Sequence, residues 1–409
     1  MKKFTQITLG ILTAIGGFVD IGDLVANALA GARFGMSLAW VVIVGVIGII
    51  VFAEMSGRVA TITGRPVFDL VRERLGPRAG LANLFASFFI NFLTLVAEIG
   101  GVALALELAT SVNYLLWVPI VAVLLWVTIW KIKFESMERI YGLLGLCLLV
   151  FAVALWKLGP DWGSLWADAS NPTVPQGEGH PTWIYYGIAL FGAAMTPYEV
   201  FFFSSGAVEE RWTKKDLMLN RANVYIGFPL GAALSLAIMA CASVLLQPRG
   251  IGVDSLSQVA LPVTYALGKL GLAVLLVGFF AATFGAAIET LMSSGYTVAQ
   301  YFGWQWGKYV APKKAARFHV MLIITVLLAT MVTLTTIDPV KVTEYSIVLS
   351  AAALPLTYLP ILVVANDREF MGDKANSRPT NVIASIYLVI ILVVSVVTIP
   401  LMLATKAGA

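Results

Sequence analysis

Eleven stretches of this chain are each about as long as a bilayer is thick and nearly free of charge, and that succession leaves few folds open. A helix needs roughly 20 apolar residues to cross the hydrocarbon core. In lipid every backbone N–H and C=O must find its partner inside the protein, so only helices and closed barrels span. The stretches cover residues 8–30, 37–57, 80–108, 115–130, 139–157, 181–207, 222–246, 262–300, 318–337, 343–365 and 381–404. The run at 262–300 is longer than one span needs. Composition agrees: of 409 residues 12% are charged, about half the share of an ordinary soluble domain. The sequence therefore predicts an all-α integral membrane protein with eleven transmembrane helices, forming one transmembrane domain over residues 1–409. No segment between spans is long enough to bury a core of its own.

Charge sets the orientation. With the N-terminus inside, the inner segments hold 21 of the 27 Lys and Arg, as the positive-inside rule requires. The loop at 158–180 has no Lys or Arg and carries Asp161, Asp168 and Glu178. This predicts a multi-pass protein of the cell's inner (plasma) membrane, N-terminus cytoplasmic and C-terminus outside. Lys2, Lys3 and the apolar run after them have the outline of a cleavable signal, but Asp20 and Asp23 interrupt that run, and a retained first helix is the better reading. The net charge of +4 is too small and too dispersed to suggest nucleic acid. Cys147 and Cys241 lie in apolar runs without metal or redox spacing, and His180 and His319 are far apart in sequence. An intramembrane enzyme is disfavoured, since no His-rich motif or nucleophile constellation is present.

The first span is interrupted by Asp20-Ile21-Gly22-Asp23. At an offset of 175 residues Gly17 aligns with Gly192, Gly22 with Pro197, and Gly31-Ala32 with Gly206-Ala207. Gly22 and Pro197 are both helix breakers inside long apolar runs. Paired breaks in corresponding spans of two halves point to a midplane site. An unwound membrane helix leaves carbonyls without donors, and a cation suits both them and nearby carboxylates. The two breaks nominate Gly17, Asp20 and Asp23 from the first, and Ala193, Thr196, Tyr198 and Glu199 from the second, as substrate-binding positions. Asp20 and Asp23 are the ligands if the substrate is a metal. Tyr198 and Phe203 are candidate cation–π partners. Glu98, mid-span, is a coupling or proton-pathway candidate. Glu54 sits where it can snorkel to the cytoplasmic edge, and Glu289 is deep but unassigned.

These residues resemble the natural resistance-associated macrophage protein family of divalent-metal transporters. Asp20-Ile21-Gly22-Asp23 stands where that family has Asp-Pro-Gly-Asn in its first helix. Residues 58–65 resemble the loop after its second helix, Met195-Thr196-Pro197-Tyr198-Glu199 through Ser204 its sixth-helix Met-Pro-His segment, and Leu354-Pro355 with Asn366-Asp367-Arg368 the end of its tenth helix. The resemblance implies a leucine-transporter type of architecture: two inverted five-helix repeats, about 8–157 and 181–365, with helices 1 and 6 discontinuous, plus an extra helix at 381–404. It implies no cofactor, only a transported cation, with the lipid bilayer as surroundings.

The departures bear on the cargo. The family's Asn falls on Asp23, its metal-binding Met on Thr196, its tenth-helix Gln on Ile347 and its first-motif Pro on Ile21. Its two sixth-helix histidines fall on Tyr198 and Phe203. One acid of its proton pathway is kept as Glu98; the second falls on Gly101. A thioether selects softer transition metals, and oxygen ligands suit hard cations. The sequence thus predicts a secondary transporter for a hard divalent metal or a small guanidinium-like cation, which carboxylates and an aromatic face also suit. The alternatives are a proton-coupled manganese or iron transporter, and a non-transporting membrane sensor, for which no signalling domain is visible.

Overall fold

The computed structural model describes residues 19–335 and 337–408, the side chains at 134, 135 and 138 aside. Its helices are α1 (Ile21–Phe34), α2 (Ala39–Thr63), α3 (Val67–Thr110), α4 (Tyr114–Lys131), α5 (Arg139–Leu158), the short α6 (Trp162–Ser170), α7 (His180–Ala194), α8 (Pro197–Glu209), α9 (Lys214–Arg249), α10 (Leu256–Phe302), α11 (Ala316–Thr333), α12 (Pro339–Asn366) and α13 (Arg378–Ala404). Among the described residues there is no strand. Among the described residues ten runs are long and apolar enough to cross a membrane, α7 and α8 counting together as one. α1 is the described part of the eleventh; the residues before Val19, Gly17 among them, lie outside the described set.

Two helices are much longer than a bilayer is thick, and each bends at a glycine. α3 has 44 residues and turns at Gly76 (φ 85°), just before Pro77. α10 has 47 and turns at Gly268 (φ 64°). At 1.5 Å per residue each would exceed 60 Å if straight, twice the hydrocarbon core. A positive φ is open to glycine at little cost, so each long run is two helical segments joined at a kink. The kink in α10 falls near the start of the 262–300 stretch. The first turns of α3 carry Arg72, Glu73 and Arg74, and Arg65 pairs with Asp69 at 2.9 Å and Glu73 at 2.6 Å.

α3 packs along α10 and α12, and α1 packs along α9. α13 leans on α12 and turns Ile386, Val389, Val393 and Val396 outward. That spacing makes one continuous apolar helix face, suited to lipid. The second break is visible in full: α7 ends at Ala194, Met195 has φ −114° and ψ 61°, and α8 begins at Pro197. A proline at the first helical position needs no N–H partner and pre-sets the helix.

Candidate functional site

The two breaks meet in the middle of the helix bundle. Asp20 has an extended backbone (φ −99°, ψ −174°) and caps α1, its Oδ1 accepting the Asp23 amide at 2.8 Å. Aspartate is among the best N-caps because its oxygen satisfies an amide left free by the first turn. The Tyr198 hydroxyl, from the first turn of α8, donates to Asp20 Oδ2 at 3.2 Å. A second free amide of α1, that of Ile21, donates to Oε1 of Glu98 on α3 at 3.2 Å. Asp20 is 3% exposed and Glu98 fully buried. A polar chain holds the second break from behind: Asn91 of α3 donates to Ser293 of α10, and Ser293 to the Tyr198 carbonyl, each at 3.2 Å.

Between the breaks lies a small, largely enclosed cavity. Its polar side chains are Asp20, Thr94, Glu98, Thr196, Tyr198, Thr343, Ser346 and Ser350; Ile21, Gly22, Ala97, Gly192, Pro197 and Ile347 complete the wall. Every polar side chain in this lining ends in oxygen; none offers sulfur or nitrogen. Thr94 and Ser346 hydroxyls pair at 3.1 Å, and Thr196 donates to Glu199 Oε2 at 2.9 Å. A hydroxyl that donates its proton keeps its lone pairs for another partner. At the end of α7 the Phe191 carbonyl accepts the Met195 amide, and the carbonyls after it have no intrahelical donor. Gly192 keeps that end tight: a Cβ there would meet the Ile347 carbonyl oxygen at 2.5 Å.

Of the nominated residues, Asp20, Thr196 and Tyr198 line the cavity, as does Glu98. Tyr198 presents its hydroxyl to Asp20. Asp23, 1% exposed, is turned toward α9, where Asn27 Nδ2 donates to its Oδ1 at 2.7 Å and the Ser235 hydroxyl donates to its Oδ2. Ala193 is buried in α7 outside the lining, and Glu199 bonds Thr196 from the first turn of α8. Asp23 and Glu199 are both first-turn acids, which a helix dipole favours without any ligand.

The remaining acids and aromatics sit elsewhere. Glu54 is buried and paired with Arg58 at 3.0 Å, while Arg58 also reaches Asn376 Oδ1 at 2.5 Å. Glu289, half-buried on α10, is outside the lining. Phe203 packs edge-on against Trp212 with ring centres 5.7 Å apart.

Sequence reasoning missed Thr94, Thr343, Ser346 and Ser350 in the cavity and Ser235 beside Asp23. Membrane helices are rich in such hydroxyls, and nothing in the sequence marks which ones converge. Asn27 was within reach, since it lies four residues after Asp23 on the same helix face. Ile21 and Gly101 meet in space. A Cβ at Gly101 would collide with Cδ1 of Ile21 and stand 3.2 Å from its Cγ1.

Known proteins match this chain along nearly its whole length. A family model described as natural resistance-associated macrophage protein-like matches residues 10–400. The divalent metal cation transporter MntH of Klebsiella pneumoniae subsp. pneumoniae is 25% identical over 379 residues, 88% of this chain and 86% of its own. MntH of Erwinia tasmaniensis is 26% identical over 394 residues, 92% of this chain and 89% of its own. A crystal structure of the Eremococcus coleocola manganese transporter superposes with TM-score 0.70 at 18% identity, covering 98% of this chain and 87% of that one. The nucleobase-cation-symport-1 family transporter MHP1 has the same fold at TM-score 0.63 and 15% identity, covering 98% and 91%.

Proposed function

This chain belongs to the natural resistance-associated macrophage protein-like family, and on that footing we propose that it moves a hard divalent cation, magnesium being the type case, by alternating access at the cavity between its two breaks. It is a multi-pass membrane transporter of a cation with the leucine-transporter type of fold, not an enzyme, and the cation is cargo rather than cofactor.

One observation carries the choice of cargo: Asp20 is buried in a lining whose side-chain donors are all oxygen, with Thr196 and Ile347 where the family resemblance places Met and Gln. Oxygen-only sites suit hard cations, and loss of the thioether removes the preference for softer transition metals. The cavity has room for little more than one water-sized sphere, which favours a bare ion over a guanidinium-type cation. Glu98 is the coupling candidate. With Gly101 in place of a second acid, proton drive is weak or absent. The two repeats, about 8–157 and 181–365, and an inner N-terminus with an outer C-terminus complete the reading.

Purified protein in proteoliposomes tests it. Magnesium should accumulate in a saturable way, and Asp20→Ala should abolish uptake. A sensor would show no uptake at all, and uptake that survives Asp20→Ala refutes the site.

A further inference from the structure

The cavity holds a second carboxylate whose surroundings are unlike those of the other buried acids. Asp20 has both oxygens engaged, by the Asp23 amide and the Tyr198 hydroxyl. Both oxygens of Asp23 accept hydrogen bonds from Asn27 and Ser235. Glu98 is different. Its Oε1 accepts the Ile21 amide at 3.2 Å, and its Oε2 has no partner among the described residues although the side chain is fully buried. A buried, unpaired carboxylate oxygen is costly and calls for an explanation. Ser350 on α12 repeats the pattern: 4% exposed, lining the same cavity, with an unpartnered hydroxyl. Two idle oxygens from two helices thus share one small cavity with Asp20.

We propose that Glu98 is a direct ligand of the transported dication, binding it through Oε2 opposite Asp20, with the Ser350 hydroxyl as a supporting ligand. This rests on the reading that the cavity is the cation site, and it departs from a role for Glu98 as a proton relay alone. Two carboxylates balance the charge of a divalent ion, a match that Asp20 alone does not give. Asp23, turned toward Ser235, leaves that second charge to Glu98. The ligands then come from α1, α3 and α12, so the ion ties the interrupted first helix to two others. Glu98 links ion binding to the first break physically, because the oxygen beside its ligand oxygen holds the first amide of α1.

Glu98→Gln is the decisive variant. A glutamine Oε1 still accepts the Ile21 amide, so the helix cap survives while the charge is lost. Full-length protein in detergent is titrated with magnesium chloride and manganese chloride by calorimetry. Glu98→Gln should weaken both at least tenfold, about 1.4 kcal/mol, and Glu98→Asp, which keeps the charge, should retain more affinity than Glu98→Gln. Wild-type affinity in Glu98→Gln, with only the pH dependence of uptake altered, overturns the proposal in favour of a relay. If Glu98→Gln does not fold, Ser350→Ala decides: about threefold weaker binding supports the proposal and unchanged binding overturns it. Wild-type affinity in Asp20→Asn instead overturns the underlying reading of the cavity, so the two failures are distinguishable.

Discussion

Gly101 and Ile21 make a sharp test of how the first break is built. Gly101→Ala adds one methyl where Ile21 Cδ1 already stands, with Ile21 Cγ1 at 3.2 Å and Cβ at 3.3 Å. Ile21 is 1% exposed and packed with Val25, Ala97 and Val340, so its side chain has little room to retreat. Overpacking of this kind costs about 1–3 kcal/mol, and the better helix propensity of alanine returns up to about 1 kcal/mol. The net expectation is a loss of about 1–2 kcal/mol. It should be accompanied by slower transport, because the backbone of Ile21 is the donor to Glu98. Ile21→Val removes Cδ1 and alone costs about 0.5–1.5 kcal/mol. Combined with Gly101→Ala it should cost hardly more than alone, leaving a coupling energy of about 1–2 kcal/mol in the double-mutant cycle. Thermal unfolding of the four proteins in one detergent, followed by intrinsic fluorescence, gives the cycle. Additivity within about 0.5 kcal/mol, or a Gly101→Ala protein as stable as wild type, refutes the claim that Ile21 fills the space of the missing acid.

Three further outcomes are expected. Asp20→Asn should fold normally, because asparagine caps a helix as well as aspartate, yet lose at least about 100-fold in divalent affinity, or about 2.7 kcal/mol; calorimetry together with a monodisperse elution profile checks both halves. Thr196→Met should raise manganese affinity relative to magnesium, and Asp23→Asn should leave the ratio nearly unchanged because Asp23 faces Ser235; equal effects of the two in competition binding would contradict the placement. Lys308, in the loop after α10, is pushed down to about 8 by burial, with Glu209 opposing. Its folded value lies below the usual 10.5, so the burden of the buried charge is fully present below pH 8 and fades as pH rises toward 10.5. Lys308→Met should therefore unfold at a higher temperature than wild type at about pH 7, and the gap should narrow by about pH 9.5; a gap that does not change with pH would exclude this cause.

The span pattern was legible because lipid imposes one rule on every residue of a crossing helix. The break at Asp20 was legible for the same reason, since a carboxylate in a span is expensive. The bends at Gly76 and Gly268 were not, because a glycine in an apolar run looks alike whether its φ is negative or positive. Nor was the orientation of Asp23. Sequence places it one turn from Asp20, but whether it faces the cavity or α9 depends on where Ser235 arrives, some 200 residues later. Thr94, Ser346 and Ser350 were hidden likewise: each is an unremarkable hydroxyl until α3 and α12 pack beside the breaks.

As proposed, the cavity is an oxygen-only site for a hard cation. Competition in proteoliposomes measures it most directly: initial manganese uptake is followed while external magnesium is raised. Half-inhibition within about tenfold excess magnesium, lost together with uptake in Asp20→Ala, is the predicted result. Manganese uptake undiminished by about a 100-fold excess of magnesium would contradict it, since only a site that still selects a softer metal behaves that way.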